Sequence, residues 1–233
     1  MNKEIIIDAA DGTGSFMGYL ALPESGGGPA VIAIQEIFGV NCGMRQICDD
    51  LAAKGYVALC PDLFWRQEPG IQITDKSQKE WDKAFELYQG FDVDKGIEDI
   101  AASLACLHEM SEVTGKVGAV GYCLGGLLAY LTSARTNVDA GVSFYGVGLE
   151  TKLGEAANIS TPLLMHMAEE DSFVDKATQA TIHSALDLRT QITIHDYASV
   201  DHAFARPDGV NLNEGAAKLA NERTSAFFKE HLG

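Results

Sequence analysis

Cys123 lies in the stretch VGYCLGG, from Val120 to Gly126, with a glycine two positions away on each side. An apolar run that predicts a strand leads into it, and a run of small residues that predicts a helix follows. A turn this tight strains the backbone of its central residue and needs small residues two positions away, as Gly121 and Gly125 are. The thiol would face a helix N-terminus, whose free N–H groups and partial positive charge favour a thiolate. We therefore interpret Cys123 as a nucleophile rather than as a buried cysteine at a glycine-rich strand end.

A nucleophilic cysteine needs a general base, and four histidines follow it before the C-terminal His231. His166 lies in an apolar stretch that predicts a buried strand, His183 falls on a predicted helix, and His195 lies within the last predicted strand. His202 follows that strand in the loop sequence ASVDHAFARP. Catalytic side chains favour loops at the C-terminal ends of parallel strands, so His202 is the predicted base.

The third member of such a triad is an acid, and it comes between the nucleophile and the histidine along the chain. We expect it directly after the predicted strand Pro162–Met167, where the sequence AEEDSFVD follows. Asp171, Glu170, Glu169 and Asp175 could each serve, and the pattern alone does not choose among them. An acidic surface loop is the alternative interpretation of this stretch.

The rest of the sequence predicts the frame that would hold these residues. Lys3–Asp8 and Phe16–Ala21 flank the dipeptide Asp11-Gly12, which is typical of a hairpin. The further predicted strands are Pro29–Glu36, Val57–Cys60, Lys116–Tyr122, Val138–Tyr145, Pro162–Met167 and Ile192–Tyr197, and the predicted helices are a segment from Met44 to Leu51, Asp75–Tyr88, Asp92–Met110, Leu124–Ser133, Lys176–Leu188 and Asn213–Glu230. This alternation predicts an α/β fold over residues 1–233, in one domain: a mostly parallel sheet of about eight strands with helices on both faces.

Composition narrows the possible functions. The formal net charge is −16, which argues against nucleic acid and anionic membrane surfaces, because phosphate binding needs clustered Lys and Arg. We expect neither a signal peptide nor a membrane span, since no apolar run is long enough. Five scattered cysteines predict a cytoplasmic protein without a disulfide framework. No C-x-x-C pair or His/Asp ligand set is present, so we expect no metal site.

Four stretches together resemble the dienelactone hydrolase family: QEIFGVN (Gln35–Asn41), CPDLF (Cys60–Phe64), VGYCLGG and DHAFARP. The order of the predicted elements also resembles that family over nearly the whole chain. The resemblance implies an α/β-hydrolase fold and a cytoplasmic, cofactor-independent monomer with a Cys–His–Asp triad. It also implies an anionic substrate, an unsaturated lactone that is opened to maleylacetate in the breakdown of chlorinated aromatic compounds.

The resemblance also implies roles for single residues. Cys123 matches the nucleophile, His202 the base and Asp171 the acid. Ile37 and Leu124 match the two residues whose backbone N–H groups form an oxyanion hole. For Leu124 the same role is expected from its place at the start of a predicted helix.

Glu36 and Arg206 match a glutamate that contacts the thiol and an arginine that holds the substrate carboxylate. An unpaired carboxylate at the end of a buried strand would be costly. We therefore interpret Glu36 as holding the thiol protonated, and so resistant to oxidation, until substrate occupies Arg206. The sequence departs from the family at Asp201, where glycine is usual, and at Trp81, where enzymes active on dienelactone carry a second arginine. Trp81 is expected to line the substrate site without binding a carboxylate, which predicts a weaker preference for anionic substrates.

Two other functions remain as alternatives. The same nucleophile could serve a cysteine esterase, thioesterase or acyl transferase of broader or neutral substrate range. A panel of esters with and without a carboxylate would separate these enzymes from a lactone hydrolase. A redox sensor built on a reactive thiol would instead turn over no ester and would be oxidised reversibly at Cys123.

Overall fold

The computed structural model describes residues 2–233. Eight strands form one sheet: β1 (Asn2–Asp8), β2 (Ser15–Ala21), β3 (Gly28–Ile34), β4 (Val57–Pro61), β5 (Val113–Tyr122), β6 (Ala140–Phe144), β7 (Leu163–Ala168) and β8 (Ile192–Tyr197). Their spatial order is β1-β2-β4-β3-β5-β6-β7-β8. β2 pairs antiparallel with β1 and β4, and every other neighbouring pair is parallel. The predicted hairpin and mostly parallel sheet are confirmed.

Helices connect the parallel strands. They are α1 (Cys42–Ala53), α2 (Gln78–Gln89), α3 (Val93–Glu109), α4 (Leu124–Arg135), α5 (Lys176–Leu186) and α6 (Glu214–His231), together with a 3₁₀ helix at Leu149–Asn158. None of the helices in the described part of the chain is long and apolar enough to cross a membrane.

The central strand β5 is covered on both faces. A side chain added at Gly118 would meet Leu232 and Phe228 at the end of α6, whereas one added at Gly121 would meet Gly125 and Ala129 in α4. Gly118 and Gly121 are three residues apart on one strand, so they point to opposite faces of the sheet. α6 and α4 therefore lie on opposite faces, as the α/β prediction requires.

Two boundaries near the predicted site residues differ from the sequence prediction. β3 ends at Ile34, so Glu36 lies just beyond the strand rather than within it. α2 begins at Gln78 because the capping-box residues Ser77 and Glu80 hold its N-terminus: the Ser77 hydroxyl accepts a hydrogen bond from the Glu80 N–H and donates one to the Glu80 carboxylate. Asp75, predicted to lie in this helix, therefore lies in the loop before it. The 3₁₀ helix was not predicted.

Candidate active site

Cys123 stands at the turn between β5 and α4. Its backbone is in the left-handed region, with φ 56° and ψ −117°, and it is the N-cap residue of α4. A Cβ atom at Gly121 would overlap the carbonyl oxygen of Gly125, and one at Gly125 would overlap that of Ile34. The two glycines of the G-x-C-x-G motif are thus required sterically, because the strand and helix approach each other closely. The turn places the buried Cys123 side chain, 6% exposed, at the carboxyl end of the sheet.

His202 and Asp171 form a buried pair beside this cysteine. The His202 Nδ1 atom lies 3.1 Å from Oδ1 and 3.0 Å from Oδ2 of Asp171. The His202 Nε2 atom is also buried, and no residue in the described range forms a hydrogen bond with it. Burial lowers the pKa of His202, but the charge of an ionised Cys123 sulfur and the hydrogen bond with Asp171 outweigh it and raise that pKa to about 10. Asp171 thus holds the imidazole at Nδ1, and Nε2 remains for the nearby Cys123 sulfur.

The other acids considered from the sequence do not contact this imidazole. Glu170 and Asp175 are exposed, and Glu169 is partly exposed. The Asp175 side chain caps α5 by accepting a hydrogen bond from Thr178. Of the four candidates, the structure therefore brings only Asp171 to His202.

The other histidines lie away from the cysteine. His166, predicted to be a satisfied core residue, is fully buried, with its ring nitrogens 2.8 Å from the Tyr197 hydroxyl and 3.0 Å from the Thr224 hydroxyl. That prediction is confirmed. His183 is hydrogen-bonded to two surface aspartates, and His195 is partly exposed on β8.

The predicted oxyanion donors flank the same space. Leu124 is the first residue of α4, so its N–H has no partner within the helix. Ile37 lines one cavity together with Cys123 and His202. Ile37 thus lines the cavity and Leu124 directly follows a residue that lines it, and their role as oxyanion donors stays a prediction.

Glu36 and Arg206 form a buried ion pair that includes a third residue. Arg206 Nε and Nη2 donate to the two Glu36 oxygens at 2.5 and 3.2 Å, and Nη1 donates to Asp75 Oδ2 at 2.7 Å. The same Asp75 oxygen accepts a hydrogen bond from the Val210 N–H at 2.9 Å. Burial alone would lower the pKa of Arg206, but the charge of Glu36 and its hydrogen bonds raise it above its usual value. The guanidinium also lies over the Phe38 ring, 4.8 Å from its centroid.

Aromatic rings form the wall of the cavity that contains the cysteine. The Trp81 ring centroid lies 5.4 Å from that of Phe85 and 6.5 Å from that of Phe173. The Phe173 ring in turn contacts His202 edge-on at 4.8 Å. The Trp81 indole N–H donates to the Asp75 carbonyl oxygen at 3.0 Å. The cavity is lined by Ile37, Trp81, Phe85, Tyr88, Cys123, Val147, Phe173, His202 and Arg206.

Helix α2, whose sequence predicts an exposed helix, is buried along one face. Ala84 and Leu87 are buried, and the half-buried Trp81 and Phe85 face the cavity. This face of the helix supplies a wall of the site.

Tyr145 is a further residue of this region that the sequence analysis did not identify. It follows β6 in a left-handed conformation, with φ 38°, and its ring contacts that of His202 at 5.0 Å. Its hydroxyl is buried and has no hydrogen-bond partner among the described residues. Burial and the charge of Glu36 raise the pKa of Tyr145 well above its usual value. Tyr145 is thus a neutral ring that packs behind the imidazole.

Some of the residues that the sequence analysis missed are indicated by a pattern in the sequence, and others are not. Asp75 could have been placed in a loop from the capping-box sequence that begins at Ser77. Phe85 lies one helical turn after Trp81, so the two share a face. Nothing in the sequence around Phe173 or Tyr145 indicates that their rings meet at His202. No group of three or more potential metal ligands occurs between residues 2 and 233.

Comparison with known proteins identifies the family of this chain. The sequence profile of the Dienelactone hydrolase family matches residues 16–232. A putative carboxymethylenebutenolidase of Azospirillum brasilense is 49% identical over 99% of both chains. A carboxymethylenebutenolidase of Pseudomonas putida is 37% identical, over 97% of this chain and 96% of its own.

Solved structures show the same fold. A putative dienelactone hydrolase of Klebsiella pneumoniae superposes with a TM-score of 0.85 at 24% identity, over 99% of this chain and all of its own. An esterase of Pyrococcus furiosus superposes with a TM-score of 0.75 at 16% identity, over all of this chain and 93% of its own. The fold is therefore that of the α/β hydrolases. The chain belongs to the dienelactone hydrolase family, and it is a hydrolase that acts on ester or lactone bonds.

Proposed function

We propose that this hydrolase opens an enol lactone, or cleaves a related enol or aryl ester, through a thioester on Cys123. His202 would act as the general base, oriented by Asp171. The observation that carries this proposal is the buried His202–Asp171 pair, whose free Nε2 lies beside a cavity that Cys123 also lines. A cysteine, a histidine and a carboxylate in this arrangement form a nucleophilic triad.

The proposed reaction has two steps. In the first, Glu36 takes the thiol proton, the Cys123 sulfur bonds to the carbonyl carbon beside the protonated His202, and the carbonyl oxygen becomes an oxyanion. The N–H groups of Leu124 and Ile37 would stabilise that oxyanion, and one such donor typically lowers the barrier by about 2.7–4 kcal/mol. Collapse breaks the ester C–O bond, the enolate or phenolate leaves, and the His202 proton neutralises the leaving oxygen.

In the second step, water attacks the thioester. His202 removes one water proton as the new C–O bond forms, and Asp171 stabilises the resulting imidazolium. The carbon–sulfur bond then breaks, the sulfur recovers a proton, and the carboxylic acid leaves. A thiolate suits a good leaving group such as an enolate, and this favours an enol ester over a peptide amide.

Glu36 is proposed to hold the thiol in a protonated, unreactive state in the free enzyme. Its carboxylate is 4% exposed and is paired with Arg206. When bound substrate disturbs this pair, the carboxylate would take the thiol proton. The proton remains within the site, so the exchange needs no external acid or base.

The resemblance to the family supplies the finer proposals. Dienelactone, giving maleylacetate, is the lactone that it implies, with a role in the breakdown of aromatic compounds. A cytoplasmic monomer is proposed on the same ground. One domain over residues 1–233 is proposed because all eight strands belong to one sheet.

Steady-state kinetics on dienelactone and on 4-nitrophenyl acetate test the proposal. Wild-type enzyme should hydrolyse at least one of them, and Cys123→Ser and His202→Ala should each lose at least a thousandfold in kcat/KM while remaining folded by circular dichroism. As a control, His183→Ala, which removes a partly exposed histidine outside the site, should retain activity. Mass spectrometry of the wild type during turnover should show an acyl group on Cys123. Near-normal turnover by folded Cys123→Ser would exclude the thioester mechanism. A protein that hydrolyses neither compound but oxidises reversibly at Cys123 would instead be a redox sensor.

A further inference from the structure

Arg206 is the one arginine or lysine among the described residues that line the catalytic cavity, and it is already paired with carboxylates. Arg206 is 8% exposed, and it lies between Glu36 and Asp75, which are 4% and 5% exposed. All three of its hydrogen bonds to these carboxylates lie between 2.5 and 3.2 Å. Two carboxylates and one guanidinium leave this cluster with a negative formal charge. A substrate carboxylate would therefore meet repulsion, and it would have to displace a buried partner of Arg206.

Trp81 provides no alternative hydrogen bond for an anion. Its one polar hydrogen, on the indole nitrogen, is already donated to the Asp75 carbonyl oxygen at 3.0 Å. Asp75 thus engages both Arg206 through its carboxylate and Trp81 through its backbone. Among the described residues lining this cavity, no lysine and no second arginine occurs.

The remaining cavity wall matches a flat apolar group. Trp81, Phe85 and Phe173 present three rings to it, and Phe173 is 44% exposed, which is unusual for a phenylalanine. A large apolar side chain exposed at the edge of a pocket indicates a surface that is covered when ligand binds. The Phe173 ring lies edge-on against His202, so a ring packed on it would place its ester group near the imidazole.

We infer that the substrate of this site is an uncharged ester or enol lactone that carries an aromatic ring, and that Asp75 excludes substrates with a carboxylate beside the scissile bond. This inference rests on the proposed function, since it names the substrate class of the same site, and among the proposed substrates it selects uncharged esters over the anionic dienelactone. The ring packs against Trp81 and Phe173, and the ester carbonyl lies between Cys123 and the backbone of Ile37. Arg206 then serves to hold Glu36, rather than to bind substrate.

Three vinyl esters test the inference, because they share an enol leaving group without a ring. Vinyl phenylacetate carries an aromatic ring, vinyl butyrate carries an alkyl chain, and monovinyl succinate carries a carboxylate. Released acetaldehyde is measured with alcohol dehydrogenase and NADH. We expect kcat/KM for vinyl phenylacetate to be at least tenfold higher than kcat/KM for vinyl butyrate. We expect kcat/KM for monovinyl succinate to be at least tenfold lower than kcat/KM for vinyl butyrate. Equal values, or a preference for the succinate, would overturn the inference and leave the proposed function intact.

Variants connect these ratios to particular side chains. Trp81→Ala and Phe173→Ala should each bring the phenylacetate-to-butyrate ratio close to one, whereas Trp65→Ala, which removes the other tryptophan outside the cavity, should leave it unchanged. Asp75→Asn keeps an acceptor for Arg206 but removes one negative charge, so it should raise the succinate-to-butyrate ratio about tenfold. Each ratio compares two substrates of the same variant, so the fraction of protein that folds cancels from it. An unchanged aromatic preference in both Trp81→Ala and Phe173→Ala would refute the assignment of the ring site.

Binding separates failure of the inference from failure of the proposed function. Cys123→Ala cannot react, and its affinity for phenylacetone and for 2-pentanone can be compared by NMR titration. We expect tighter binding of phenylacetone, with shifts at the Trp81 indole. If wild-type enzyme hydrolyses no ester but Cys123→Ala shows this preference, the proposed chemistry is wrong and the aromatic site stands. If hydrolysis proceeds and the two ketones bind equally, the inference fails alone.

Discussion

Asp171 has two functions that amino-acid substitution can separate. Both of its oxygens lie near His202 Nδ1, at 3.1 and 3.0 Å. Oδ1 also accepts hydrogen bonds from the N–H groups of Phe173 and Val174, at 2.8 and 3.1 Å. The side chain therefore orients the proposed base and fixes the loop that carries an aromatic wall of the cavity. Asp171→Asn and Asp171→Ala should affect catalysis differently.

In Asp171→Asn, the amide oxygen can keep both backbone hydrogen bonds. The amide nitrogen then faces His202 Nδ1, and because it is a donor, Nδ1 must become the acceptor. The imidazole proton moves to Nε2, so Nε2 can no longer take a proton from the water that attacks the thioester. The same tautomer reversal in a serine protease lowers kcat by about 10⁴-fold. We expect a loss of about 10³- to 10⁴-fold in kcat, with KM for vinyl phenylacetate little changed.

In Asp171→Ala, both backbone hydrogen bonds are lost as well, each worth about 1 kcal/mol. The loop at Phe173 should loosen, so KM for vinyl phenylacetate should rise in addition to the fall in kcat, while KM for vinyl butyrate should rise less. Asp175→Asn is the matched control, since it removes a carboxylate four residues away that caps α5 and does not contact His202. The reasoning is refuted if Asp171→Asn retains more than a tenth of wild-type kcat, or if Asp175→Asn loses as much.

Two further predictions concern buried titratable groups. Burial lowers the pKa of His166 to about 3, so between pH 6.5 and 3 the unfolded chain binds a proton that the native chain does not. The free energy of unfolding should therefore fall, by about 1.4 kcal/mol per pH unit from this group, as the pH decreases below 6.5. His166→Gln should remove one proton from that dependence, measured by urea unfolding between pH 7 and 5; an unchanged slope would contradict the assignment. For Glu36, we expect slow alkylation of Cys123 by iodoacetamide in the free enzyme and faster alkylation with phenylacetone bound. Glu36→Gln should abolish this stimulation, and fast alkylation of the free wild type that ligand leaves unchanged would show that Glu36 does not protect the thiol.

The sequence predicted the parts of the site that local backbone geometry determines. A strand, a sharp turn and a helix must meet at Cys123, and only glycine fits where the strand and the helix approach each other. The glycine spacing of the motif therefore predicts the turn. His202 was predicted because it follows the last strand, and the carboxyl ends of parallel strands meet at one edge of a sheet. From the sequence pattern, the acid was located only to a segment, because four carboxylates lie between Glu169 and Asp175. The direction in which the Asp171 side chain points depends on the folded loop. This direction brings Asp171 alone among the four carboxylates to His202.

Contacts between distant segments could not be predicted in this way. Asp75 and Arg206 are 131 positions apart, and nothing in either local sequence specifies the other. The rings of Trp81 and Phe173 likewise come from a helix and a loop that meet only in the folded chain. Their types were visible in the sequence, but an aromatic residue on a helix face is usually part of a core. The sequence therefore indicated the chemistry of the proposed reaction better than the shape of the cavity in which the substrate would bind.

One helix boundary changes the predicted charge of the site. If α2 began at Asp75, that residue would occupy the first turn of the helix. The capping box at Ser77 and Glu80 instead starts the helix at Gln78, and the preceding loop brings the Asp75 carboxylate to Arg206. An arginine that is paired with one carboxylate can bind an anion once the anion displaces that carboxylate. An arginine that is paired with two carboxylates keeps one of them after the other has left. In the proposed mechanism, Arg206 would thus remain paired with Asp75 when Glu36 takes the thiol proton. An uncharged substrate that fills the cavity would then activate the thiol, without a substrate carboxylate to replace Glu36.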